Sequence, residues 1–113
     1  MTCKRWDIVL VSFPFTDFRN EKKRPALVIS PDLYNKGKDV IIAFITSNIK
    51  IDFKESDVVI REWNKSGLPK PSIIRMKLAT IDKSIIIKII GKLQKNDINK
   101  FINDFFDFIA DRN

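Results

Sequence analysis

The chain has 113 residues, 44% of them apolar and 31% charged, with nine Phe, so it offers one domain's worth of material with a real core and is not of the disordered class. It has no histidine and a single cysteine, Cys3, which excludes Ser-His-Asp triads, paired-His ribonuclease chemistry, internal disulfides and thiolate metal clusters. A surplus of 21 Lys and Arg over 14 Asp and Glu gives a net charge of +7 and favours a polyanionic partner, nucleic acid first. The surplus is uneven: residues 96–113 carry four aspartates against Lys100 and Arg112, a net of −2, which leaves +9 on residues 1–95.

No apolar run, that of Ile85 to Ile87 with Ile89 and Ile90 beyond one lysine included, approaches the ~20 residues of a membrane span. Met1 to Asp7 contains Lys4 and Arg5 but no apolar stretch of signal-peptide length, so the expectation is a cytoplasmic protein with no membrane partner. Cys3 reads as a small residue near a frayed terminus.

In chain order, Asp7 to Phe13 reads as a strand with both faces largely buried, Ile8 and Leu10 on one side and Val9, Val11 and Phe13 on the other. Pro14 to Lys23 reads as a charged loop, Arg24 to Ser30 as a second strand, Pro31 to Asp39 as a turn, and Val40 to Thr46 as a β-branched third strand. A fourth strand is expected around Asp57 to Ile60, followed by a loop from Glu62 to Pro71 in which two prolines bar a regular central strand. Ser72 to Leu78 alternates cleanly, with Ile74, Met76 and Leu78 opposite Arg75 and Lys77, and Ile85 to Ile90 forms a further strand ending at Gly91. Ile98, Phe101, Ile102, Phe105, Phe106 and Ile109 then recur at helical spacing, with Asn96 as the expected N-cap and Asp97 in the first turn. Short strands closed by one helix fit a mainly β fold, an SH3-like small barrel with the helix over its open side, as a single domain of residues 1–113. A parallel α/β fold needs crossover helices that these gaps cannot supply.

If strands two and three are antiparallel neighbours with Ser30 opposite Val40, then Arg24 falls opposite Thr46, on a shared face with Ala26, Val28, Phe44 and Ile42. A guanidinium offers paired donors to phosphate oxygens and a threonine hydroxyl adds a short hydrogen bond, so the pair suits a phosphodiester. A solvated strand-end cation beside a β-forming threonine is the plain alternative.

The segments Asp7-Ile8-Val9-Leu10-Val11 with Phe13-Pro14-Phe15-Thr16-Asp17, Lys23-Arg24-Pro25-Ala26-Leu27-Val28-Ile29-Ser30, Ile45-Thr46-Ser47, Gly67-Leu68-Pro69-Lys70-Pro71-Ser72, Thr80-Ile81-Asp82-Lys83 and Ile90-Gly91-Lys92-Leu93 occur in an order and spacing that resemble the MazF/PemK family of type II toxin–antitoxin toxins. The resemblance spans nearly the whole chain. It implies an SH3-like barrel dimer that cleaves single-stranded RNA, usually at short sequences in mRNA, and is silenced by a small cognate antitoxin. By the same resemblance the catalytic arginine falls on Arg24 and the catalytic threonine on Thr46. Two departures are Trp6, where members often carry Gly, and Ser12, at a place often acidic; both bear on substrate preference.

Without histidine, and with no carboxylate cluster on one face, the chemistry to expect is metal- and cofactor-independent: the ribose 2′-hydroxyl attacks the adjacent phosphate, giving a 2′,3′-cyclic phosphate and a 5′-hydroxyl. Arg24 would stabilise the phosphorane charge and Thr46 would hold a nonbridging oxygen. Arginine's high pKa makes it a poor base, which leaves Glu21, and after it Asp17, as proton acceptors. Single-stranded RNA is gripped by aromatic stacking and by cations on phosphates. Phe15, Phe18 and Trp63 are the stacking candidates, and Lys22, Lys23, Lys70, Arg75 and Lys77 the phosphate-tracking ones, with Asp17 and Ser72 as further RNA contacts. A homodimer is expected from the small size and the many Phe and Ile, with the Glu62 to Pro71 loop at the rim of a cationic groove where an acidic antitoxin docks. A reading from another class stays open: a non-catalytic module of the same fold, gyrase-binding or nucleic-acid-binding. The presence of both Arg24 and Thr46 favours the nuclease.

Overall fold

β-Branched and aliphatic residues build six strands: β1 (Asp7–Pro14), β2 (Glu21–Val28), β3 (Asp39–Thr46), β4 (Val58–Ile60), β5 (Ser72–Asp82) and β6 (Ile86–Lys92). A one-turn helix α1 (Asp32–Asn35) joins β2 to β3, a 3₁₀ turn (Lys83–Ile85) joins β5 to β6, and helix α2 (Lys95–Ala110) follows. The computed structural model describes residues 2–14, 21–49 and 53–111, without the side chains of Pro14 and Glu21. The strands form one antiparallel sheet in the order β4-β5-β3-β2-β1-β6. It curls into a half-barrel because its ladders are bulged: the β1–β6 register shifts between Ile8 and Val9 and again between Leu10 and Val11, and the β3–β5 register shifts between Ala43 and Ile45. The expected mainly β barrel with a terminal helix is therefore the fold observed.

Several boundaries differ from the sequence expectation. Glu21 to Lys23, expected in a loop, are strand residues paired with Pro14 to Ser12, so β2 begins before Arg24 and ends at Val28. The Pro31 to Asp39 turn contains α1, pinned by a buried polar cluster. There Ser30 Oγ donates to Asn35 Oδ1, Asn35 Nδ2 donates to the Ser30 carbonyl at 2.9 Å, and the Ile41 N–H donates to Ser30 Oγ at 2.9 Å. β5 runs four residues past Leu78, and its alternation is broken. Ile74 opposes Ile45 while Leu78 opposes Ala43, so Arg75 to Lys77 bulge out of the ladder, and Leu78 is 42% exposed instead of buried.

Because side chains alternate across a strand, the sheet carries a core on each face. Ile8, Leu27, Ala43, Ile45 and Ile74 pack with Val58, Ile60, Leu68, Leu93 and Phe101 on the face covered by α2, and Val9, Val11, Ala26, Val28, Val40 and Ile42 pack with Ile81 and Ile86 on the other. Cys3 belongs to the second cluster at 2% exposure, so it is a core residue and not part of a frayed terminus. Burial first, then the neighbouring Asp7 carboxylate, pushes its thiol pKa above the ordinary value.

Helix α2 starts one residue before the expected Asn96 cap, with Gln94 in the cap position and no side-chain cap bond. Asp97, in the first turn, is 2% exposed, and its two carboxylate oxygens accept the backbone N–H groups of Arg61 and Glu62 at 3.0 Å each. A carboxylate suits both the helix N-terminus and a pair of backbone amides, so this one side chain docks α2 onto the segment after β4. Phe101 anchors the other turns, stacked on Phe105 at 5.5 Å and edge-on to Trp6 at 5.9 Å. Trp6 has φ 77°, a left-handed conformation costly for a bulky side chain, at the very position where the resemblance expects glycine. Its N–H donates to the Val28 carbonyl at 2.7 Å and its carbonyl accepts from the Leu93 N–H at 2.9 Å, which holds the conformation in place.

Candidate functional site

The β2–β3 ladder pairs Val28 with Ile42, Leu27 with Ala43 and Ala26 with Phe44. This is the register expected from the sequence, and the Ile29 N–H bond to the Ile41 carbonyl at 2.9 Å continues it. Carried two residues past its last pair, it sets Arg24 opposite Thr46. Beyond Ala26 and Phe44 the two strands follow other partners: Arg24 pairs with Val11 on β1 and Thr46 with Ile73 on β5. The divergence opens a cleft of about 710 Å³ with Arg24 on one lip and Thr46 on the other.

Four cations, Lys23, Arg24, Lys70 and Lys88, and three hydroxyls, Thr46, Ser47 and Ser72, line this cleft, and no carboxylate does so among the described residues. Its apolar lining comes from Leu10, Pro25, Ile45, Leu68, Pro69 and Ile90. Thr46 Oγ1 accepts from the Asn48 N–H at 3.1 Å, which orients the side chain and leaves its own O–H as a donor. Ser72 is nearly fully buried and its hydroxyl donates to the Lys70 carbonyl at 2.9 Å, shaping the turn that presents Lys70.

The outer wall of the cleft is the segment between β4 and β5, and glycine makes its position possible. Gly67, at φ 86°, lies against Ile90 and Gly91 of β6 so closely that a Cβ on Gly67 would overlap the Ile90 carbonyl, and one on Gly91 would overlap the Ser66 carbonyl. Ser66, fully buried, ties the turn internally through its hydroxyl to the Glu62 carbonyl at 2.9 Å, and Gln94 Nε2 reaches the Lys65 carbonyl at 3.3 Å. The wall thus spans the open side of the half-barrel, from the β4–β5 edge to β6, by backbone contact.

Of the residues singled out from the sequence, Arg24, Thr46, Lys23, Lys70 and Ser72 come together in the cleft. Lys22 is exposed on β2 opposite Phe13, outside the cleft lining. Lys77 sits 5.4 Å over the Phe44 ring, which itself stacks on Phe13 at 5.0 Å. Arg75 forks onto Asp57, Nε to Oδ1 at 3.2 Å and Nη2 to Oδ2 at 3.0 Å, and Asp57 also accepts the Lys54 N–H at 2.7 Å. Trp63 is half-buried and packs against the core beneath α2. Phe15, Asp17, Phe18 and the side chain of Glu21 lie outside the described residues. Sequence reasoning did not single out Lys88; its signal was a lone cation inside the apolar Ile85 to Ile90 run.

Among the described residues, no three Cys, Asp or Glu side chains gather in a metal-binding group, and no helix is long and apolar enough to cross a membrane. The chain is similar in fold to MazF of a MazE–MazF structure from Deinococcus radiodurans, at 16% identity and TM-score 0.80 over 97% of each chain. It is likewise similar to the Mycobacterium tuberculosis toxin MazF-mt6, at 18% identity and TM-score 0.74 over 92% of this chain and 96% of that one. A third similar structure is a mycobacterial endoribonuclease in complex with its cognate antitoxin, at 14% identity and TM-score 0.77 over 96% and 94%. No curated protein sequence matches the chain. A family model described as the PemK-like, MazF-like toxin of type II toxin–antitoxin systems matches residues 4–104, and this chain belongs to that family.

Proposed function

We propose that the chain, acting as one domain over residues 1–113, is an endoribonuclease toxin that cleaves single-stranded RNA without a metal or other cofactor. The observation that carries the proposal is the convergence of Arg24 and Thr46 on the lips of a cleft lined by three further cations. The 2′-oxygen of the nucleotide before the break attacks phosphorus, the bond from phosphorus to the 5′-oxygen breaks, and a 2′,3′-cyclic phosphate and a 5′-hydroxyl result. Arg24 neutralises charge gathering on the nonbridging oxygens, and the Thr46 hydroxyl donates to one of them and fixes the phosphate for in-line attack. Glu21, next in the same strand to the cationic run Lys22 to Arg24, takes the 2′-proton, and the leaving 5′-oxygen collects one from solvent. Lys23 and Lys70 hold flanking phosphates, and the apolar floor of the cleft receives bases.

The partners proposed with it are a second copy of the chain and an acidic cognate antitoxin that competes with RNA for the cleft by charge; family membership and the likeness to an endoribonuclease solved with its cognate antitoxin support this reading. The test is incubation of the purified protein with single-stranded RNA in excess chelator, followed by analysis of product ends. Cyclic phosphate and 5′-hydroxyl ends are expected. RNA that is bound and left intact would support a non-catalytic binding module instead, and cleavage that stops with chelator would overturn the metal-free scheme.

A further inference from the structure

The cleft that holds Arg24 and Thr46 also carries a cation that neither the family match nor the catalytic scheme uses. Lys88 on β6 is exposed and pairs with Leu10 on β1, and Leu10 pairs in turn with Pro25 on β2, next in sequence to Arg24. Pro25, Leu10 and Lys88 therefore form one row across three adjacent strands, and all three line the cleft. Two strand spacings separate β2 from β6, about 10 Å at the usual inter-strand distance. By strand alternation Arg24 leaves β2 on the other face, with Ala26 and opposite Val11, and borders the cleft where β2 and β3 part, so Lys88 addresses a different phosphate. On β6 it is flanked by the exposed Ile87 and Ile89, and of the two lysines of that strand, Lys88 and Lys92, it is Lys88 that lines the cleft.

We propose that Lys88 is a phosphate-binding residue of the RNA track, holding a nucleotide phosphate that flanks the one bound between Arg24 and Thr46; the inference rests on the RNA-cleaving reading of the same cleft. β6 is an edge of the sheet, and an edge lysine can instead serve to block strand pairing between molecules. The two roles separate experimentally. Binding of a single-stranded RNA bearing a 2′-deoxy nucleotide at the cleavage position is measured against salt concentration for the wild type, Lys88→Ala, Lys88→Arg and Lys100→Ala. Lys100 serves as control because it pairs with Asp104 on α2, away from the cleft.

Loss of one phosphate contact from a single strand lowers the slope of log affinity against log salt by about 0.7. Lys88→Ala should show that decrease with weaker binding at low salt, Lys88→Arg should restore both, and Lys100→Ala should match the wild type. On cleavable RNA the loss should fall on KM. An unchanged salt slope in Lys88→Ala, with self-association appearing in light scattering, would overturn the proposal in favour of edge protection. If the wild type binds RNA without cutting it, the nuclease reading falls while the slope still decides the role of Lys88. If it binds no single-stranded RNA, both fall.

Discussion

Arg75→Ala separates a structural cation from an RNA-binding one. The guanidinium is 18% exposed and the Asp57 carboxylate that it forks onto is fully enclosed, so removing Arg75 strands a buried anion with the Lys54 N–H as its remaining described partner. Breaking a buried pair from one side costs about 3–5 kcal/mol, and the partial exposure of the guanidinium brings the expectation to about 2–3 kcal/mol. For a chain of this size that is a fall in Tm of about 10 °C. The assay is thermal and urea unfolding of Arg75→Ala, Asp57→Ala and the double variant, which closes a thermodynamic cycle around the contact. Arg75→Lys should fall between, since an ammonium keeps the charge and loses the fork. A cycle coupling below about 0.5 kcal/mol would refute the strut assignment. An unmoved Tm together with a flattened salt dependence of RNA binding would return Arg75 to the phosphate track.

Other expectations are simpler. Arg24→Ala should lower RNA cleavage about 100- to 1,000-fold with an unchanged circular dichroism spectrum, and full turnover in that variant would remove Arg24 from the chemistry. Thr46→Ser should retain more activity than Thr46→Ala; equal rates would show that the hydroxyl plays no part. Gly91→Ala should push the Ser66–Gly67 turn off β6, lowering Tm and raising KM for RNA, whereas a variant with native Tm and KM would contradict the close backbone approach. Ser84, through its backbone N–H and then its hydroxyl, with Lys38 adding to them, holds Asp82 below the usual carboxylate range. Its stabilising effect is therefore complete above the unfolded pKa and fades as pH falls through the lower folded value. The stability gap between wild type and Asp82→Asn, read by urea unfolding at pH 7, should close below about pH 4.

The β2–β3 register that brings Arg24 and Thr46 to one cleft was legible because two apolar strands with one internal parity admit few registers that keep both cores filled. Helix α2 was legible from its spacing, although its cap was not: Asp97 works through amides 36 and 35 residues away, a contact that no local pattern announces. The same limit hid Lys88, whose neighbours in the cleft lie on other strands, and the burial of Cys3 beneath the second core. The Ser72 to Leu78 alternation misled for a different reason. Ile74 and Leu78 keep the parity expected of them, but the bulge between them arises from where β5 pairs with β3, at Ile45 and Ala43, which no period within β5 records.

Asp97 and the Gly67–Gly91 approach together make the wall of the cleft and the terminal helix one cooperative unit. The amides of Arg61 and Glu62 are shielded by a side chain that leaves with α2, so their hydrogen exchange should report undocking of the helix instead of local fraying of the segment that carries them. By linkage, anything that binds the exposed apolar end of α2, where Phe106, Phe108 and Ile109 face solvent, acts on the same equilibrium that positions Lys70. A ligand held between the wall and β2 must in return hold the helix down, which ties occupancy of the cleft to the order of a helix packed on the same core cluster as the wall.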